Sequence, residues 1–240
     1  GRNAVKRLVL ASSTAVYGDG KPPFTEEDAA DRPTEAVGAS KRAAELMAHV
    51  YHAAHDFSVH CLRVSTAYGP RQPPDQVMHR LARLLESDGP THTNGDGIPR
   101  RDYVYVDDVA DAVRMSTERL LEEEAPVFET FNIAGRECLS LQQLVPRLAE
   151  ALELDRRSTS PGDANSDGRT ICVSPEKARE VLGFEPHHSL DEGLGKFARW
   201  LRADSTGPDD GDPSVIGVHS PCSSDEARWA RRPSRGNRDE

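Results

Sequence analysis

The sequence predicts an α/β fold in which a parallel β-sheet is flanked by helices. Short apolar runs typical of buried strands alternate with longer segments rich in Ala, Glu and Leu, which are typical of helices. Residues that favour helix termini stand at several of the boundaries. The alternation covers residues 1 to about 202 and then stops. Such alternation is characteristic of strand–helix–strand units, whose strands run parallel.

Three segments have the pattern of buried strands, because each is short, mostly apolar and bounded by polar or helix-forming residues. They are residues 7–12, 58–64 and 128–133.

Six segments have helical patterns. They are residues 36–54, 76–86, 107–123, 140–152, 175–183 and 190–201. Ser140 is expected to cap the fourth helix and Asp107 or Asp108 the third, because short polar side chains bond to free amides at a helix start. Ser174 and the proline after it open the fifth helix, and Gly183 closes it.

Composition and charge exclude several classes of protein. The chain has 240 residues, of which 36% are hydrophobic, and it holds no apolar run near the ~20 residues that a membrane span requires. The first residues lack the pattern of a signal peptide, so we predict a cytoplasmic protein. The 40 acidic residues exceed the 30 basic ones, which argues against a nucleic-acid partner.

The four cysteines show no Cys-x-x-Cys spacing, which disfavours a zinc ribbon or a dithiol redox site. We therefore expect Cys61, Cys138, Cys172 and Cys222 to be reduced and mostly buried. The nine histidines show no ligand spacing either, so no metal site is predicted.

The composition changes from Ala203 onward. Only eight of the last 38 residues are apolar, and Pro, Gly, Ser, Asp and Arg make up most of the rest. Such a segment buries too little surface to offset the entropy of ordering it. The predicted organisation is therefore one domain over residues 1–202 and a disordered tail over residues 203–240.

Three clusters could carry chemistry, and further segments accompany them in order. The clusters are residues 12–18 (Ser-Ser-Thr-Ala-Val-Tyr-Gly), 33–41 (Pro-Thr-Glu-Ala-Val-Gly-Ala-Ser-Lys) and 101–110 (Arg-Asp-Tyr-Val-Tyr-Val-Asp-Asp-Val-Ala). The further segments are Leu62-Arg63, Tyr68-Gly69-Pro70-Arg71, Phe131-Asn132-Ile133-Ala134-Gly135 and Leu182-Gly183-Phe184-Glu185-Pro186. Together they resemble the extended short-chain dehydrogenase/reductases. Within that group they are most similar to the NAD-dependent epimerase/dehydratase family, in its UDP-glucose 4-epimerase branch.

The resemblance implies a Rossmann-like parallel sheet, NAD as cofactor, and a smaller C-terminal α/β part that binds substrate. In that family a Ser or Thr, a Tyr and a Lys cooperate, and the Tyr moves a hydroxyl proton while hydride passes to NAD. The implied catalytic residues are Ser13 and Lys41, but Val37 occupies the Tyr position. An isopropyl group neither accepts nor donates a proton, so the acid–base step has no agent here.

Other site residues follow from the same resemblance. Lys41, Ser12 and Val64 are implied to contact the cofactor. The implied substrate-binding residues are Thr14, Thr66, Arg101 and Asp163. Arginine suits a diphosphate because its fork-shaped cation binds two oxygens at once. Two departures fall beside this set. The pair Ser65-Thr66 replaces the family's Phe-Asn, and Ser160 replaces an arginine expected near Asp163.

The largest departure concerns the phosphates of the cofactor. The family begins with a strand, a Gly-x-x-Gly-x-x-Gly turn and a helix, and the turn lets the backbone approach the pyrophosphate. The sequence has no such turn. We therefore expect the first half of the Rossmann sheet to be missing.

These features support a function with one alternative. The chain is expected to be a member of the nucleotide-sugar epimerase/dehydratase family that is truncated and inactive as it stands. The alternative is a catalytically dead module that binds a nucleotide sugar, or one half of a split enzyme. A UDP-sugar is the expected small-molecule partner, and a second copy or the missing N-terminal half is the expected protein partner. An RNA-binding relative is disfavoured by the net charge of −10.

Overall fold

The strands and helices follow one another much as the sequence predicts. The computed structural model describes residues 5–87, 99–154 and 169–204. In this part of the chain the strands are β1 (Arg7–Ser13), β2 (Ser58–Val64), β3 (Thr66–Tyr68), β4 (Arg100–Tyr105), β5 (Phe128–Ile133) and β6 (Cys138–Ser140). The α-helices are α1 (Ala36–His55), α2 (Val77–Glu86), α3 (Val106–Glu122), α4 (Leu141–Ala151), α5 (Glu176–Leu182) and α6 (Leu190–Asp204). A short 3₁₀ helix, Thr14–Tyr17, follows β1.

The main sheet is parallel, which confirms the predicted fold class. Its strand order is β1-β2-β5, and β1 and β2 pair in register from Arg7 opposite Ser58 to Ser13 opposite Val64. The central strand β2 is buried along nearly all its length because helices cover both faces. Among the described strands, β1 pairs with β2 alone and forms one edge.

The two faces of β2 pack against different helices. Val59 and Cys61 face α1 and pack with Ala48. On the other face, Leu62 packs with Ala112 of α3 and with residues of β5 and α5. The residues of β2 that contact α1 therefore alternate with those that contact α3, as the period of a strand requires.

A second, smaller sheet forms another layer, and the local sequence pattern did not predict its strands. In it β3 pairs parallel to β4, and β4 pairs antiparallel to β6. Helices α2, α4 and α6 pack against this sheet around a separate apolar cluster centred on Leu144, Leu194 and Phe197. This layer corresponds to the smaller C-terminal part that the family resemblance implies.

Two predicted helix termini are confirmed and one is wrong. Ser140 forms a capping box with Gln143 at the start of α4. Gly183 adopts a left-handed conformation at the end of α5. Neither Asp107 nor Asp108 caps α3, because the helix begins at Val106 and both residues lie in its first turn. The Asp108 carboxylate instead accepts hydrogen bonds from the amides of residues 187 and 188.

The expectation that the cysteines are reduced is wrong for two of them. Cys138 and Cys172 form a disulfide, with 5.8 Å between their Cα atoms. The fold brings together residues that are 34 positions apart, so sequence spacing alone did not reveal the pair. Cys61 is free and buried, as expected, and burial raises the pKa of its thiol to about 12. Cys222 lies outside the described residues.

Some expectations fall outside what the structure describes. The predicted tail lies beyond residue 204, so its disorder stays a prediction, as does a domain boundary near residue 202. Asp163 and Ser160 lie in the undescribed segment 155–168. Across the described ranges no helix is long and apolar enough to cross a membrane.

Candidate functional site

The carboxyl edge of the main sheet holds several of the predicted residues. Ser12 and Ser13 end β1, and Val64, which ends β2, stands directly opposite Ser13. Ligands of open parallel sheets bind beyond the carboxyl ends of the strands. The structure therefore brings three of the predicted residues to the edge where a ligand is expected.

The Ser13 side chain orders the turn that follows β1. Its Oγ accepts a hydrogen bond of 3.1 Å from the amide of Ala15, which caps the 3₁₀ helix. Thr14, the next residue, is buried in the first position of this helix. Ser13 as a whole is half-buried.

Helix α1 begins beside the same turn. A Cβ on Gly38 would collide with the carbonyl of Ala15, so only glycine allows this close approach. Three residues later, Lys41 donates a hydrogen bond of 2.8 Å from Nζ to the carbonyl of Ala11 in β1. Val37 is 57% exposed on the first turn of α1. The family's Tyr position thus faces solvent and carries an apolar side chain.

A buried ion pair that the sequence did not reveal lies beneath this edge. Glu45 of α1 accepts two hydrogen bonds from Arg63 of β2, at 3.0 Å from Nε and 2.9 Å from Nη2. Glu45 also accepts bonds from Ser12 Oγ at 2.5 Å and from Arg42 at 3.0 Å. The signal was available, since Arg63 is the one permanently charged residue in an otherwise strand-like run and needs a buried partner.

The bond to Glu45 changes what Ser12 can do. Ser12 is buried and its hydroxyl hydrogen is donated to Glu45. The predicted contact between Ser12 and the cofactor stays a prediction. In such a contact the Ser12 hydroxyl would act as an acceptor, because its hydrogen is donated to Glu45.

Two buried tyrosines, Tyr17 and Tyr68, have hydroxyl groups that are already bonded within the fold. Tyr17 is buried, donates from its hydroxyl to Asn132 at 2.7 Å, and accepts from Arg63 at 3.1 Å. Burial raises the pKa of Tyr17 to about 12, although Arg63 opposes the rise. Tyr68 donates to the carbonyl of Leu190, and burial raises its pKa as well. Both phenols are held inside the fold in their neutral form.

Arg101 connects the second sheet to the start of α1. It lies on β4, and its guanidinium donates to the carbonyl of Arg169. Arg169 in turn donates to Glu35, the residue immediately before α1, at 2.8 Å. Thr66 is half-buried on the neighbouring strand β3, opposite Tyr103. Arg101 is thereby tied to the chain segment that holds Val37.

The resemblance assigns Lys41, Ser12 and Val64 to the cofactor and Ser13 to catalysis, and these assignments stay predictions. No Gly-x-x-Gly-x-x-Gly turn occurs in the sequence, so the pyrophosphate has no matching backbone cradle in this chain. Within the described residues, no three His, Cys, Asp or Glu side chains are grouped as a metal ion would require.

Comparison with known proteins agrees with this geometry. A family model described as the NAD dependent epimerase/dehydratase family matches residues 1–134. UDP-glucuronate 4-epimerase of Thermodesulfobacterium geofontis is 29% identical over 199 residues, which cover 82% of this chain and 60% of that protein. The chain thus spans about three fifths of the length of this curated relative.

Solved structures show the same likeness. UDP-glucose 4-epimerase of Thermotoga maritima, determined with UDP-glucose, superposes with a TM-score of 0.72 at 28% identity, covering 83% of this chain and 64% of that one. UDP-glucuronic acid 4-epimerase of Bacillus cereus, in complex with UDP-glucuronic acid and NAD, gives 0.71 at 27% identity, covering 84% and 63%. These matches confirm the Rossmann-like α/β fold. The protein belongs to the NAD-dependent epimerase/dehydratase family.

Proposed function

We propose that this chain carries the substrate-binding part of a UDP-sugar epimerase or dehydratase and that it does not turn substrate over as it stands. The expected lack of turnover rests on the identity of residue 37, which is valine. It occupies the family's Tyr position four residues before Lys41, and its side chain cannot move a proton.

The remaining residues suit binding better than catalysis. NAD, where bound, would accept and return a hydride; this chain's own residues orient the ligands and offer hydrogen bonds. Arg101 lies on β4 and its guanidinium donates to the carbonyl of Arg169; a planar cation with several donors suits a diphosphate. Ser13 is half-buried and offers a hydroxyl, and Lys41 places an ammonium group at the end of β1. These groups bind anionic and hydroxylated ligands without chemistry at Val37.

The alternative function is a catalytically dead module or one half of a split enzyme. In a split enzyme, a separate chain supplies the glycine-rich turn that holds the pyrophosphate. On this view the protein partner is either that N-terminal half or a second copy of the same chain. The cytoplasm stays our prediction for its location.

Binding and turnover assays test the proposal. UDP-glucuronic acid and UDP-glucose at millimolar concentration are expected to raise the melting temperature of the full chain, because a ligand that binds the folded state stabilises it. Arg101→Ala is expected to remove the shift, whereas Arg114→Ala, an exposed arginine on α3, should leave it unchanged. Incubation with NAD and either UDP-sugar should yield no epimer.

Each outcome bears on a different part of the proposal. The absence of any shift with both UDP-sugars contradicts the binding function. Clear formation of an epimer by the unmodified chain contradicts the argument from Val37. A shift that survives Arg101→Ala removes Arg101 from the proposed substrate site.

A further inference from the structure

The disulfide lies beside a buried carboxyl group. Asp102 of β4 stands directly opposite Cys138 in the antiparallel pairing of β4 with β6. Directly paired residues of antiparallel strands project to the same face, with Cβ atoms about 4.5–5.5 Å apart. Asp102 Oδ2 also accepts a hydrogen bond of 2.8 Å from the amide of Val173, the residue after Cys172. The carboxyl group therefore lies on the same face as Cys138 and is bonded to the backbone directly after Cys172.

A cavity of about 540 Å³ reaches this group and both cysteines. The other charged residues that line it are paired with one another or with the backbone. Arg179 bonds to Glu176 at 2.8 Å and to Glu185 at 3.2 Å, and Arg136 donates to two backbone carbonyls. Asp102 is 5% exposed, and burial raises its pKa to about 7 although the bond from the Val173 amide opposes the rise. Near neutral pH the carboxyl therefore holds a proton part of the time.

We propose that Cys138–Cys172 is a thiol-exchange site, in which a small thiol enters the cavity and opens the disulfide while Asp102 gives a proton to the departing sulfur. Both cysteines are half-buried and line the cavity, so an attacking sulfur has an approach that does not require unfolding. The function is separate from the binding of nucleotide sugar.

The chemistry balances with a small thiol as the reductant. The thiolate bonds to one cysteine Sγ, the Sγ–Sγ bond breaks, and the other sulfur leaves with the electron pair and takes the carboxyl proton of Asp102. A second thiolate attacks the small-molecule sulfur of the mixed disulfide and releases the remaining cysteine, which takes a proton from solvent. Solvent also reprotonates Asp102. In total two small thiols are oxidised to a disulfide, and the protein disulfide is reduced to two thiols.

The surrounding backbone would hold its place when the disulfide opens. The amide of Ile171 donates to the carbonyl of Arg100 at 2.9 Å, and the amide of Phe24 donates to the carbonyl of Cys172 at 2.8 Å. The amide of Ser174 donates to the carbonyl of Phe24 at 2.7 Å. These bonds attach residues 171–174 to β4 and to the segment around Phe24 without the disulfide. Opening and closing can therefore occur in the folded protein.

The test follows disulfide opening in the native full chain. The protein is incubated with reduced glutathione from about pH 6 to about pH 8, alkylated, and digested, and the free thiols of Cys138 and Cys172 are measured by mass spectrometry. We expect the rate to be proportional to thiol concentration. Divided by the thiolate concentration, it should fall as pH rises through about 7, because Asp102 loses its proton there.

Asp102→Asn isolates the proton donor. Asn keeps an oxygen that can accept from the Val173 amide, but it has no acidic proton. Below pH 7 the rate divided by the thiolate concentration should be lower than in the unmodified chain by about 10-fold or more, and it should not change with pH. General acid catalysis contributes ~10²-fold at its low end, which sets the size of the expected loss. Glu176→Gln is the matched control, since Glu176 lines the same cavity and pairs with Arg179; its pH profile should equal that of the unmodified chain.

Three results would overturn the proposal. One is an Asp102→Asn variant with an unchanged rate and pH profile. Another is a rate in the unmodified chain that does not depend on thiol concentration, which would mean that unfolding limits the reaction. The third is a flat thiolate-corrected profile in the unmodified chain, a measurement that holds even if the Asp102→Asn variant fails to fold.

Discussion

Replacing Glu45 tests whether the buried ion pair under the sheet edge stabilises the fold. Glu45 is 1% exposed and Arg63 4%, and two hydrogen bonds join them. Glu45→Gln keeps the shape of the side chain and removes its charge. The guanidinium of Arg63 then stays buried without a counter-ion, because it cannot lose its proton.

The expected loss is large because the remaining charge is desolvated. Removing one partner of a buried ion pair costs about 3–5 kcal/mol, most of it from the charge left behind. Glu45 accepts from four donors, those of Arg63, Ser12 and Arg42, so Gln leaves at least one of them poorly matched. We expect Glu45→Gln to lower the free energy of unfolding by about 3 kcal/mol, at the lower end of that range.

Urea unfolding followed by circular dichroism measures this loss at pH 7. Glu118→Gln, which breaks an exposed pair with Arg114 on α3, is the control and should change little. The Glu45→Gln, Arg63→Met double variant should be less destabilised than the sum of the two single variants, because no unpaired charge remains. A loss below about 1 kcal/mol for Glu45→Gln, the size seen for exposed pairs, would refute the reasoning.

The Glu45 carboxylate should also make the free energy of unfolding depend on pH. Burial raises the pKa of Glu45, but the hydrogen bonds from Arg63 and Ser12 outweigh it, and the pKa is lowered overall. A group whose pKa is lower in the folded state contributes stability above its unfolded pKa and loses it as pH falls through the folded value. The free energy of unfolding should therefore drop in acid, and Glu45→Gln should remove that part of the drop.

Three further substitutions have defined outcomes. Changing Cys138 and Cys172 to Ser should cost about 4 kcal/mol in urea unfolding, because the disulfide closes a loop of 34 residues in the unfolded chain; an unchanged midpoint would contradict this. Gly38→Ala should cost about 1–3 kcal/mol, since its Cβ meets the carbonyl of Ala15, and a gain in stability would show that α1 can shift. Val37→Tyr should yield no epimer from UDP-glucose with NAD by chromatography, because the sequence offers no pyrophosphate cradle; product formation would show that the cradle is dispensable.

The sequence predicted the main sheet well because local pattern decides it. The strands β1, β2 and β5 are short runs of six or seven residues, and their places in the chain follow from the local pattern. The predicted burial is confirmed for β2 but wrong for β1, which is mostly exposed or half-buried because it pairs with no other described strand than β2. The short strands β3 and β6 have three residues each, and they are strands only because β4 lies between them. Their pairing depends on contacts between distant parts of the chain, which a local pattern does not contain.

The candidate site likewise has features that the sequence predicted and features that it did not. Motif order was sufficient to place Ser13, Val64 and Lys41 at one edge. It did not reveal that Glu45 takes up the hydroxyl of Ser12, because that bond depends on how α1 lies on β1. The pairing of Cys138 with Cys172 was also hidden, since only the antiparallel register of β4 and β6 and the path of residues 171–173 bring them together.

The edge of β1 that pairs with no other described strand has a consequence for self-association. An edge strand offers free amide and carbonyl groups to another chain, and basic residues beside it discourage that pairing. Lys6 and Arg7 are exposed at the start of β1, so two such edges brought together would repel each other. Mobile ions screen this repulsion, with a Debye length of about 8 Å at physiological ionic strength and about 3 Å at 1 M. High salt is therefore expected to promote aggregation of this protein through β1.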